Sequence, residues 1–147
     1  ALGEKLKGGN ATIYVLLGDG EIQEGGIWEA AMAAAKYKAD NLIAILDYNG
    51  VQLDGTLDEI MPLGDVGAKF ASFGWEVIKC DGHDVEAIAR AVDEAKRNKD
   101  QPSIIIAKTV KGKGVSFMEG KSTWHGKPIG EEEYKQAKIE LGGLANE

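Results

Sequence analysis

Residues 18 to 20 of this 147-residue chain read Gly-Asp-Gly, and residues 47 to 50 read Asp-Tyr-Asn-Gly. Each motif closes an apolar run, residues 11–17 and 41–46. One carboxylate, Asp19, and one carboxamide, Asn49, therefore fall at the C-terminal ends of two strands separated by a helix, where open α/β sheets place their ligands. Hard oxygen donors presented this way suit Mg²⁺, which keeps a few protein oxygens and completes its octahedron with phosphate and water. The flanking Gly18 and Gly20 leave room for a phosphate to approach the backbone and the first N–H groups of the next helix. The pair predicts a cradle for a metal-bound diphosphate. Taken singly, Asp19 is a helix cap and Asn49 before Gly50 a turn residue; it is the spacing between them that favours a joint role.

The elements that must position this pair follow from the hydrophobic pattern. Residues 11–17 and 41–46 read as strands, the second a continuous apolar run of the kind buried on both faces of a parallel sheet. Between them Ile27, Ala30, Ala31, Ala34 and Ala35 recur at helical spacing and predict a helix over about 21–38, its first turn bent by Gly25-Gly26. A turn-rich loop follows, punctuated by Asn49-Gly50, Asp54-Gly55 and Met61-Pro62. A short helix is expected over 65–73, a strand over 75–80, and a helix over 85–98 with Asp84 as its N-cap. Residues 103–107 form another buried strand and 108–114 a flexible basic loop, with a last helix over 131–141. This alternation predicts an α/β domain with a mostly parallel sheet and flanking helices. His83, in Asp81-Gly-His-Asp84, reads as a surface turn or capping residue, and the lysines at 108, 111 and 113 as solvated charges lying where an anionic substrate passes.

Composition narrows the function classes. A net charge of −7 and the lack of a basic stripe argue against a general nucleic-acid binder. The single cysteine, Cys80, excludes an internal disulfide and Cys-rich zinc sites, which fits a reducing, cytoplasmic setting. No apolar run approaches the roughly 20 residues of a membrane span. Residues 1–7 read like the last turns of an amphipathic helix stopped by Gly8-Gly9-Asn10, with no N-cap before them, so a start inside a longer protein is expected, the alternative being a native start from which the initiator Met was removed.

Gly18-Asp-Gly-Glu-Ile-Gln-Glu-Gly25, then Trp28-Glu-Ala30, then Leu46-Asp-Tyr-Asn-Gly-Val-Gln-Leu-Asp-Gly55, resembles the thiamine-diphosphate signature of transketolases. Lys108-Thr-Val-Lys-Gly-Lys-Gly114 and Trp124-His-Gly126 resemble later landmarks of the same family, and the similarity is greatest to the N-terminal subunit of split transketolases. The resemblance implies a thiamine-diphosphate-binding fold over residues 1–147, a single and partial diphosphate domain without the pyrimidine-binding domain. It implies that Asp19 and Asn49 ligate Mg²⁺ with their side chains and Val51 with its backbone carbonyl, and that Gly18 and Gly20 contact the diphosphate. Leu53 matches an aliphatic position near the thiazolium, and His125 a histidine near the diphosphate and donor substrate. Glu24 and Glu29 match acidic residues at a dimer interface that link two active sites.

The implied reaction moves a two-carbon ketol unit from a ketose phosphate to an aldose phosphate. Its partner is a pyrimidine-binding domain or subunit, in a homo- or hetero-oligomer, and its substrates are sugar phosphates. The family's upstream Gly-His motif and Gly-rich segment are not found in residues 1–17. That departure keeps two alternatives open: a catalytically inactive cofactor-domain remnant with a structural or assembly role, and a fragment similar to deoxyxylulose-phosphate synthase.

Overall fold

The structure is a computed structural model and describes residues 1–142. Its centre is a parallel sheet of four strands, β1 (Ile13–Gly18), β2 (Leu42–Tyr48), β5 (Glu76–Asp81) and β6 (Ser103–Lys108), in the order β1-β2-β6-β5. β6 is buried at five of its six positions, Ser103 to Ala107, as a central strand covered on both faces must be. Between β2 and β5 lies a small antiparallel hairpin, β3 (Val51–Gln52) with β4 (Gly55–Thr56).

Helices cover the two faces with different chemistry. On one face α2 (Gly25–Lys36) and α4 (Val66–Ser72) pack over Leu17, Ala44, Leu46, Ile104 and Ile106. Small residues Ala31 and Ala34 let α2 approach the sheet closely, and an aromatic group fills the remaining volume. The Phe70 ring sits 5.1 Å from Trp28 and 5.4 Å edge-on to Trp75, whose indole N–H donates to the Ala31 carbonyl at 2.9 Å. On the other face α5 (Val85–Arg97) lays Ala91 and Ala95 over Ile43, Ile78 and Ile105. α1 (Leu2–Leu6) and α6 (Glu131–Glu140) flank the chain ends.

The helix starts follow local chemistry. Asp84 accepts from the N–H groups of Glu86 and Ala87, and Asp65 from that of Ala68, each satisfying donors that the first helical turn leaves open. The helix expected over 21–38 is instead broken. A 3-10 turn covers Glu21–Gln23, Glu24 is extended with ψ at 133°, and α2 starts at Gly25. Two adjacent glycines propagate a helix poorly, and the Glu21 carboxylate turns back to the Gly18 N–H at 3.0 Å. The glycines thus begin the helix where they were expected to bend it. The loop expected after Asn49 is also more ordered, holding β3, β4 and α3 (Leu57–Ile60). Thr56 and Glu59 form a reciprocal capping box at the start of α3. That Thr-x-x-Glu spacing is visible in the sequence. Two-residue strands, by contrast, are too short to show a period.

Truncating Phe70 to Ala should leave a cavity between the Trp28 and Trp75 rings and cost about 3 to 5 kcal/mol, whereas Asp84→Ala should cost only about 1 kcal/mol. Urea denaturation of the two variants checks this ranking; equal losses would show that the aromatic group is not the principal packing centre.

Candidate functional site

Parallel register brings the chemistry to one edge. Gly18 pairs with Asp47, and Asp47 with Ala107, so the chain leaves β1, β2 and β6 at one level. Beyond this edge lies a cavity of about 470 Å³. The β1 exit contributes Gly18, Asp19, Gly20, Glu21 and Glu24, and the β2 exit Asp47, Asn49, Val51, Gln52 and Leu53. The later part of the chain adds Lys111 and His125.

Asp19 is the one fully buried acid among the described residues, 2% exposed. Its Oδ1 accepts the Gly20 N–H at 2.8 Å and its Oδ2 the Gly50 N–H at 2.5 Å. A single side chain therefore ties the β1 exit to the β2 exit. Burial pushes the carboxyl above its ordinary value of 3.8; the N–H groups of Gly50 and Gly20 oppose that rise, and the charge of Asp47 adds to it. Asn49 takes the geometry of a turn residue as well, its Oδ1 accepting the Val51 N–H at 2.9 Å. Asn49 thus shapes the turn and also lines the cavity.

The remaining expected residues divide. Val51 is buried in β3, and Leu53 stands exposed at the hairpin turn. Gly18 and Gly20 flank the cavity, but both N–H groups are already engaged, by Glu21 and Asp19 respectively. Gly20 is tightly confined, because a Cβ there would lie 2.9 Å from that of Gln52. Glu24 faces the cavity while Glu29, exposed on α2, does not line it, so the break before Gly25 does not bring the two into one site. His83 is outside the cavity, in the turn after β5.

Residues outside the expected ligand set also take part. Lys111 Nζ lies 3.1 Å from His125 Nδ1. An ammonium can only donate, so this geometry has Nδ1 accept and leaves the His125 proton on Nε2. Asp47 accepts a hydrogen bond from the Thr109 hydroxyl, which joins β2 to the basic loop. Glu21 reaches the site through the local turn after Gly20, and Asp47 through the register that pairs it with Gly18.

The donor set suits a hard cation. Among the described residues no group of three or more His, Cys, Asp or Glu side chains could hold a metal. A cation here must use a mixed set, one carboxylate with amide and backbone oxygens and the oxygens of a ligand. Mg²⁺ tolerates that arrangement and zinc does not favour it.

The thiamine diphosphate binding domain of transketolases matches residues 5–147. The chain is 49% identical over 130 residues to the 6-deoxy-6-sulfo-D-fructose transketolase subunit SqwG of Clostridium sp. (strain MSTE9), covering 88% of this chain and 47% of that protein. It is 41% identical over 141 residues to an apulose-4-phosphate transketolase subunit of Phocaeicola vulgatus, covering 96% of this chain and 50% of the relative. The crystal structure of transketolase from Campylobacter jejuni superposes with a TM-score of 0.87 at 39% identity, over 95% of this chain and 22% of that one. The chain belongs to the transketolase family, within its thiamine diphosphate-binding domain. It spans about half the length of the curated subunits it matches.

The buried carboxylate has a measurable signature. The folded state holds the Asp19 proton more tightly than the unfolded chain, so Asp19 erodes stability as pH rises from 3.8 through its elevated folded value. Asp19→Asn should remove that part of the slope. Urea midpoints followed across the acidic range for both proteins test it, and identical slopes would show that Asp19 is not desolvated.

Proposed function

We propose that this chain supplies the magnesium and thiamine diphosphate site of a transketolase that moves a two-carbon ketol unit from a ketose phosphate to an aldose phosphate. The observation that carries the reading is the buried Asp19 carboxylate, which ties two strand ends together beside Asn49, Val51, Lys111 and His125. In this reading Asp19, Asn49 and the Val51 carbonyl hold Mg²⁺, and Gly18 and Gly20 border the diphosphate. Leu53 offers an apolar surface to the thiazolium. His125 donates from Nε2 to the diphosphate or the donor substrate, with Lys111 fixing the tautomer and adding positive charge. Thiamine diphosphate supplies the electron sink for making and breaking the carbon–carbon bond, and the protein supplies placement and electrostatics.

The rest of the site comes from a partner in this reading. A pyrimidine-binding domain or subunit covers the other half of the cofactor, with Glu24 nearest the junction. Relatives that are themselves named as transketolase subunits support such an assembly, whether homo- or hetero-oligomeric. So does the edge strand β1, where Leu16 is 71% and Tyr14 44% exposed, an apolar surface suited to a protein contact. No helix among the described residues is long and apolar enough to cross a membrane. In this reading the enzyme is cytoplasmic, a reducing setting that the single cysteine fits.

Calorimetry with thiamine diphosphate and Mg²⁺ tests the site. Binding should require Mg²⁺ and be abolished by Asp19→Ala, while full affinity in that variant would refute the ligand role. Adding a matching pyrimidine-domain partner should then give ketol transfer between sugar phosphates. Cofactor binding without transfer would favour a structural or assembly role instead.

A further inference from the structure

β5 and β6 run parallel, with Asp81 paired to Lys108 at their C-terminal ends. One more rung follows, in which the Gly82 N–H donates to the Lys108 carbonyl at 2.8 Å. In a parallel ladder the next bond would run from the Val110 N–H back to the Gly82 carbonyl. Here the ring of His83 takes that place, and Nε2 accepts the Val110 N–H at 2.8 Å. The His83 backbone N–H is itself held by Asp81 Oδ1 at 2.8 Å, so the turn that carries the ring is fixed. The contact is close on the backbone side too. A Cβ on Gly82 would lie 2.4 Å from Thr109 Cγ2 and 3.1 Å from both Ala107 Cβ and the Lys108 carbonyl oxygen.

On its other flank the same segment is tied to β2. The Thr109 N–H donates to the Tyr48 carbonyl at 3.2 Å, and the Thr109 hydroxyl to Asp47. The very next residue after Val110 is Lys111, whose ammonium meets His125 over the cavity. The basic loop is thus clamped from both sides immediately before the residue that reaches the site.

We propose that His83 is a positioning residue: its imidazole extends the β5–β6 ladder by one side-chain rung and so holds the basic loop where Lys111 meets His125 at the cavity mouth. The importance of that mouth for a diphosphate rests on the function proposed above; the clamp itself rests on geometry alone. Acceptance at Nε2 requires the His83 proton to sit on Nδ1.

The test uses the full chain in three variants, His83→Ala, His83→Gln and His83→Asn. The Gln side-chain oxygen stands as many bonds from Cα as Nε2, so it can take the Val110 N–H, whereas the Asn oxygen is one bond short. Imidazole ¹⁵N spectra of the unaltered protein should show His83 with its proton on Nδ1. Amide exchange at Val110 should quicken about five-fold or more in His83→Ala and His83→Asn and return toward the original rate in His83→Gln. The His125 ring signals should follow the same pattern. With inorganic pyrophosphate and Mg²⁺ as the probe, affinity should fall about five-fold in the Ala and Asn variants and recover in the Gln variant.

A His83 ring protonated on Nε2, or Val110 exchange unaffected by His83→Ala, would overturn the proposal, as would a Gln variant no better than Ala. If the unaltered chain binds no pyrophosphate, the diphosphate reading falls. The ring and exchange measurements still decide the clamp in that case.

Discussion

One carboxylate, buried between two turns, is the constraint to which the functional edge of this protein is built. Asp19 sits out of water with its two oxygens given to Gly20 and Gly50, one beyond the end of β1 and the other beyond the end of β2. Desolvation acts against its charge and so does nearby Asp47, while the backbone donors act for it. In the protein alone the balance favours the proton more than it does for a carboxylate in water. A hard cation beside it would reverse the balance, because an opposite charge at contact favours the ionised form. The arrangement is costly as scaffolding, and in the function proposed above that cost is offset by the cation.

The sheet makes that arrangement possible by aligning chain exits. Gly18, Asp47 and Ala107 share one level of the ladder, so the residues just beyond them converge without long loops. Lateral bonds then continue past the strand ends: Asp19 to Gly50, Thr109 to Tyr48 and Asp47, and Gly82 and His83 to Lys108 and Val110. These cross-links hold loops to the rigidity of the strands behind them. The aromatic packing of Trp28, Phe70 and Trp75 under α2 provides the backing, since α2 leads out of the very turn that holds Asp19 and Glu24.

Much of this is legible in the sequence. The four core strands lie within a residue or two of their expected positions, because their apolar runs are bounded by polar or turn residues. Asp84 caps its helix as expected and Asp65 caps another, each a short-range event decided by neighbours three residues away. The break at Glu24 was not legible, since the alanines of α2 keep helical spacing and mask the glycines in front of them. Nor was the hairpin that carries Val51, whose strands are two residues long. The capping box at Thr56 was available and is the signal that marks α3.

By itself the sequence determined which groups could do chemistry and in what order they occur: Asp19, Asn49, the Lys-Gly-Lys-Gly loop and His125, on an alternating α/β chain. Residue type and local spacing suffice for that, because strands, caps and oxygen donors are set by near neighbours. Only the tertiary structure decided that Asp47 shares the site with Asp19, that Lys111 meets His125, and that His83 faces Val110. Those facts depend on strand register and on contacts between residues far apart in the chain, which no periodicity within one segment encodes.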